Sequence, residues 1–150
     1  MDVKVLYLDN YPSEKGELKY AHFGDSGVDL RAAIAEEMEM AVEPGQVVLV
    51  PAGVKVEIPY GYEIQVRPRS GLALKHGITV LNTPGTVDSG YRGEIGIILI
   101  NHSKKRFVIN RGDKIAQAVV STIVQAQFLE VDELSDTSRG DGAYNSTGIN

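Results

Sequence analysis

Val54-Lys55-Val56-Glu57-Ile58 and, after Pro59-Tyr60-Gly61, Tyr62-Glu63-Ile64-Gln65-Val66-Arg67 alternate apolar and polar side chains with a period of two. Successive side chains of an extended chain point to opposite faces, so this pattern predicts two half-buried strands separated by a turn. Working outward, the runs Val47 to Val50 and Ile95 to Ile100 are rich in β-branched residues and bounded by turn residues, which predicts strands covered on both faces. Turn residues recur at Pro44-Gly45, Pro59 to Gly61, Pro84-Gly85 and Arg111 to Asp113, too closely for long helices. The expectation is an all-β barrel or sandwich. Ala32 to Met40 has helix-forming composition, but its apolar residues hold no single helical stripe and the neighbouring strands and turns override it. Ser70 to His76 is the one short helix expected, and the amides at its start are free to face an anion.

A chain of 150 residues suits one domain, so 1–150 is read as a single unit. With no cysteine, disulfides, thiolate nucleophiles and cysteine zinc sites are excluded. His22, His76 and His102 are too scattered for a metal motif. The formal net charge of -5 argues against nucleic-acid binding, which relies on Lys and Arg to neutralise phosphates, so an anionic ligand needs a local cluster of arginines. No apolar run approaches the roughly 20 residues that span a bilayer. Met1-Asp2-Val3-Lys4 lacks the basic and apolar regions of an export sequence, so the expectation is a cytoplasmic protein with no membrane partner.

Four blocks could carry chemistry. In Pro68-Arg69-Ser70-Gly71-Leu72, Arg69 offers a permanently charged planar donor, Ser70 a hydroxyl, and Gly71 close backbone approach to a phosphate. A plain strand-to-helix turn with a surface arginine accounts for the same residues. From Val80 to Gly96, proline and glycines shape a hairpin-like loop that presents Asn82, Asp88 and Tyr91. An amide can read a base edge and an aromatic ring can lie against a sugar, while Gly96 inside a strand marks a close approach to the backbone. A decorated turn, in which Asp88 and Ser89 bond local amides, explains the block equally well. Gln117 stands among Ile115, Ala116, Ala118, Val119 and Val120 and needs a hydrogen-bonding partner, either a phosphate oxygen or a cross-strand group. The tail from Arg139 to Gly148 combines Arg139, Tyr144, Ser146 and Thr147 in a segment with little apolar to bury, and such a segment can close over a nucleotide.

These four blocks, with Ser26-Gly27-Val28-Asp29-Leu30-Arg31-Ala32, resemble in order and spacing the five motifs of the trimeric dUTPase family, from about position 20 to the C-terminus. The resemblance implies a distorted jelly-roll β barrel, a homotrimer with shared active sites, and residues 134–150 as a flexible lid. It implies hydrolysis of dUTP to dUMP and pyrophosphate with Mg²⁺. Asp88 then corresponds to the water-activating base and Tyr91 to the ring under the deoxyribose. Asn82, Thr86, Val87 and Gly96 correspond to the uracil-reading segment, and Arg69, Ser70, Gly71 and Gln117 to phosphate binders. In the tail, Arg139 matches the phosphate clamp, Tyr144 the ring over uracil, and Ser146 and Thr147 the γ-phosphate donors. Asp29 matches an acid that holds Mg²⁺ through its water shell. The chain departs from the family at Gly142-Ala143-Tyr144-Asn145, where Gly-Gly-Phe-Gly is usual, so its closed tail is expected to follow a different path. Lys114 replaces a common arginine, a change that reads as peripheral.

Two rivals are weighed. The related dCTP deaminases carry a glutamate in the strand after the third motif, where this chain reads Ile97-Ile98-Leu99-Ile100. A non-catalytic module, either a nucleotide sensor or an adhesion domain bearing Arg-Gly-Asp at 111–113 and 139–141, is the other. Possession of Asp88 favours an enzyme over a sensor.

Overall fold

The computed structural model of the chain describes residues 1–143. Its strands are β1 (Lys4–Tyr7), β2 (Gly27–Arg31), β3 (Glu39–Val42), β4 (Val47–Pro51), β5 (Val54–Glu57), β6 (Tyr62–Arg67), β7 (Ile78–Val80), β8 (Gly85–Val87), β9 (Gly96–Asn101), β10 (Phe107–Asn110) and β11 (Lys114–Thr122). One α-helix, α1 (Ser70–His76), interrupts them, and Ser13–Lys15 forms a single 3-10 turn. The expected alternation holds in β5 and β6: Val54, Val56, Ile64 and Val66 are buried while Glu57 and Arg67 are exposed. The ambiguous segment Ala32 to Met40 forms no helix; it runs as loop and turn and enters β3 at Glu39.

Every pairing is antiparallel, and the strands sort into β2-β11-β6-β8, β4-β9-β7, β1-β5 and β10-β3. β5 and β6 follow one another yet do not pair. β5 joins β1, and β6 joins β11 and β8, so the chain changes sheet at the Pro59 to Gly61 turn. This crossing between facing sheets makes the jelly roll, and Leu30, Ile78, Ile97, Leu99, Ile109 and Ile115 fill the space between them.

The sequence led us to expect β4 and β9 to be covered on both faces. Within one chain they are covered on one: Ile97 and Leu99 are buried, while Val47 and Leu49 on the outer face are 46% and 64% exposed. Apolar runs report that a strand meets no water, and they do not say which molecule supplies the cover.

Two polar residues tie loops to this frame. Asn101 is fully buried, and its Nδ2 donates to the carbonyls of Val42 and Lys105 (both 2.8 Å) while its Oδ1 accepts from Ser103 N (2.9 Å), so no capacity is wasted. Arg111 Nη1 donates to the carbonyls of Asn10 and Ile34 (both 2.8 Å), and Nη2 donates to that of Tyr11 (2.9 Å). α1 stops at Gly77, whose φ of 65° is left-handed and whose N–H returns to the Ala73 and Leu72 carbonyls. A side chain there would also meet Ser103 N at 2.9 Å. Beyond β11, Val124 to Ala143 is exposed throughout and carries no regular strand or helix, with Phe128 at 95% exposure.

Candidate active site

The loop from Val80 to Gly96 leaves β7, passes through β8 and returns into β9. β7 lies beside β9 and β8 beside β6, so the turn between them bridges two sheets. Thr86, Val87 and Asp88 leave β8 on one side, and Tyr91, Ile95 and Gly96 return on the other. Together these six line a half-open cavity of about 170 Å³. Ile95 and Val87 supply its apolar floor. The return is fixed locally by Tyr91 N donating to the Asp88 carbonyl (3.0 Å) and by Arg92 Nη1 donating to the Ser89 and Tyr91 carbonyls (2.7 and 2.8 Å). Tyr91 Oη donates to the Glu94 carbonyl (2.9 Å), folding the ring over Gly93, where a Cβ would overlap it. Glu94 Oε1 anchors the whole return by accepting from Asn10 Nδ2 (3.0 Å) and Gly53 N (2.8 Å).

Asp88 is exposed, and its carboxylate makes no hydrogen bond or ion pair among the described residues. The decorated-turn reading required this carboxylate to bond local amides, and the amide that closes the turn goes to the Asp88 backbone carbonyl instead. Asn82, also exposed, stands against Gly85, with its Nδ2 3.2 Å from where a Cβ of Gly85 would lie, one residue before the cavity lining begins.

A second group gathers on β2, β11 and the start of α1. Asp29 lies opposite Gln117 across the β2-β11 ladder, and Gln117 lies opposite Arg67 on β6. Asp29 Oδ1 pairs with Arg69 Nε (3.0 Å) and Oδ2 with Lys114 Nζ (2.6 Å). Arg69 Nη1 also donates to the Lys114 carbonyl (3.0 Å). Lys114, read from sequence as a peripheral change, is therefore the second cation on Asp29, because its stem reaches across the register shift at the start of β11. Gln117 finds its partner in the Pro68 carbonyl (Nε2 donating, 3.0 Å), and its Oε1 fills the space beside Gly27 that a Cβ would need. Ser70 and Gly71 are exposed, with open space over Gly71. Arg69 and Lys114 face a cleft of about 550 Å³, and Asp29 and Gln117 a neighbouring one of about 300 Å³. No residue lines both this cation group and the Asp88 cavity.

Arg139 Nε donates to the Gly142 carbonyl (3.0 Å) within its own turn. Tyr144, Ser146 and Thr147 lie outside the described residues. Sequence reasoning missed Asn10, Glu94 and the contact of Lys114 with Asp29. Each acts through a contact remote in sequence, and only Glu94, an acid sealed into a glycine-rich return, offered a local clue.

The architecture defines an antiparallel jelly roll with a half-open cavity beside an acid unpaired among the described residues, and a separate cationic group suited to an anion. The dUTPase family profile matches residues 15–148. A deoxyuridine 5'-triphosphate nucleotidohydrolase of Gloeothece citriformis is 58% identical over 131 residues, covering 87% of this chain and 88% of its own. The corresponding protein of Crocosphaera subtropica is 49% identical over 150 residues, covering 99% and 100%. The chain belongs to the dUTPase family. Among solved structures, the dUTPase of Staphylococcus bacteriophage 80alpha with dUPNHPP superposes with a TM-score of 0.81 at 25% identity, covering 99% of each chain. A mutant dUTPase from phage phi11 of S. aureus that coordinates a structural Mg(II) ion superposes at 0.78, with 24% identity over 91% of this chain and 100% of its own.

Proposed function

We propose that the chain hydrolyses dUTP to dUMP and pyrophosphate, with Asp88 as the general base. The observation that carries this is the free Asp88 carboxylate at the rim of a cavity that also holds the Tyr91 ring and the Thr86 and Gly96 backbone. A base must have a lone pair open to its proton, and a positioned one typically contributes about 10² to 10⁴ in rate. Water attacks the α-phosphorus and Asp88 accepts its proton. The bond from that phosphorus to the bridging oxygen breaks, and the β and γ phosphates leave as pyrophosphate. The cavity takes the uracil, with Asn82, Thr86, Val87 and Gly96 reading its edge, and Tyr91 packs under a sugar lacking a 2′-hydroxyl. Arg69, Ser70, Gly71 and Gln117 bind the phosphates.

Mg²⁺ supplies charge neutralisation on the triphosphate when bound. Among the described residues no group of three or more acids and histidines could cage a metal ion. The donor set nonetheless fits a hydrated ion. A carboxylate has about four lone-pair sites, and Asp29 commits one oxygen each to Arg69 and Lys114, leaving room to accept from a metal-bound water.

The unit is residues 1–150, working as a homotrimer with shared sites. The exposed Val124, Phe128, Leu129 and Val131 of the C-terminal arm support assembly, since such apolar residues in one segment call for cover. Residues 134–150 serve as the lid, with Arg139 on the phosphates, Tyr144 over the uracil, and Ser146 and Thr147 on the γ-phosphate. No described helix is long and apolar enough to cross a membrane. The deciding assay measures pyrophosphate release from dUTP, UTP, dTTP and dCTP with and without Mg²⁺. Release from dUTP alone, dependent on Mg²⁺, is expected; ammonia from dCTP, or tight binding without turnover, overturns the reading.

A further inference from the structure

Gly96 opens β9 opposite Pro51 at a non-hydrogen-bonded register position: the adjacent pair bonds instead, Ala52 N donating to the Ile95 carbonyl (2.9 Å), so the Gly96 N–H and carbonyl point away from β4. On its other side β7 covers β9 only to Leu99, with Leu81 N reaching the Ile98 carbonyl (2.8 Å), so Gly96 runs past the end of that strand. Its backbone is left to line the cavity with Thr86, Asp88 and Tyr91. A glycine so placed has the widest conformational freedom of any residue, and something must hold it.

Leu49 lies on the same outer face. It pairs with Ile98, Pro51 pairs with Gly96, and residues two apart on a strand share a face. A Cβ built on Gly96 would lie 2.9 Å from Leu49 Cδ1 and 3.7 Å from Cγ, so the leucine already occupies that space. Leu49 is 64% exposed and does not belong to the core cluster, so core packing does not explain where it rests.

We propose that Leu49 is a positioning residue for the pyrimidine cavity, its branched end seated on Gly96 so that the Gly96 backbone is held at a fixed height in the cavity wall. The inference rests on the reading that this cavity takes the uracil. Leu49 touches no substrate in this scheme and acts only through Gly96.

A double-mutant cycle tests both readings separately. Gly96→Ala forces a Cβ against Leu49 and is expected to raise KM for dUTP roughly tenfold, a change of about 1.4 kcal/mol. Leu49→Ala frees the wall and is expected to raise KM several-fold and to narrow the preference for dUTP over dTTP, with kcat within about twofold, the mark of lost uniform binding. In the double variant the clash is gone, so KM should fall below that of Gly96→Ala alone. Leu49→Met, which refills the space, should restore wild-type values, and Val47→Ala on the same face should change nothing. Unchanged KM in Gly96→Ala would overturn the cavity assignment itself. A raised KM in Gly96→Ala, with Leu49→Ala neither altering KM nor relieving the double variant, would overturn the role of Leu49 and leave the cavity assignment standing. Sedimentation velocity on each variant completes the test, because a KM change that follows loss of assembly instead of the cycle also overturns it.

Discussion

Asp88 and Asp29 are carboxylates in two neighbourhoods of opposite character. Around Asp88 the backbone is bonded tightly, through Tyr91 N, Arg92 and Glu94, while the functional side-chain oxygens are left without partners among the described residues. Around Asp29 the side chains hold one another: Arg69 at 3.0 Å, Lys114 at 2.6 Å, and Gln117 on the Pro68 carbonyl at 3.0 Å. The difference separates two kinds of preorganisation. A reacting group gains from a rigid scaffold and an open lone pair, whereas cations meant for phosphates need a counter-charge that fixes their geometry before the ligand arrives. Asp29 supplies that fixing at some cost to the free charge of Arg69 and Lys114.

The largest test removes the open lone pair. Asp88→Asn should lower kcat by about 10² to 10⁴ with KM nearly unchanged, in steady-state pyrophosphate release. Wild-type turnover in that variant would erase the distinction between the two acids. Next, ending the chain after Glu133 removes the proposed closure over both neighbourhoods, and catalytic efficiency should drop by roughly 10- to 100-fold while sedimentation shows unchanged assembly. An unaffected rate would show that the tail is no lid. Asp29→Asn keeps the shape but removes the counter-charge, so KM should rise about tenfold, with a smaller effect on kcat, as for loss of one charge-assisted hydrogen bond. If kcat fell as far as in Asp88→Asn, Asp29 would be a reacting group and the contrast would fail.

The smallest effect belongs to a third acid that serves neither purpose. Lys4 Nζ donates to Glu57 Oε1 at 2.7 Å, and this hydrogen bond and charge hold the Glu57 carboxyl below its ordinary value. With a lowered folded value, any stabilisation is present above the ordinary glutamate range and fades as pH falls through the lowered one. Both partners are exposed, so Glu57→Gln should leave the melting temperature unchanged within scatter at neutral and at acid pH. A clear loss at neutral pH would mean that exposed pairs here count for more than the surface rule allows.

What could be read from sequence follows the range of the forces involved. β5, β6 and α1 were legible because alternation, Ser70 at the helix start and Gly77 at its end act within a few residues. The gathering of Thr86, Asp88, Tyr91 and Gly96 was legible for the same reason: one turn brings them together. Strand partners were not, since β5 seeks β1 and β6 seeks β11, and no local pattern states a partner. Glu94 reaches Asn10 across 84 residues and Arg69 reaches the Lys114 carbonyl across 45, so the supports of the candidate site stayed hidden while the residues lining it did not. Gly96 announced a close approach in sequence, but only the fold could reveal Leu49 as what approaches.

Arg111 carries a consequence for the order in which the molecule closes. Its three carbonyl acceptors stand 101, 77 and 100 residues away along the chain. Contacts that distant carry a large loop-closure cost, and the prediction is that they form on the native side of the folding barrier. Disturbing them therefore hastens unfolding far more than it delays folding. Arg111→Lys should accordingly steepen the loss of the native state in the unfolding arm of a chevron while leaving the refolding arm in place. On that outcome the guanidinium that seals the N-terminal segment sets how long the enzyme lasts more than how fast it is made.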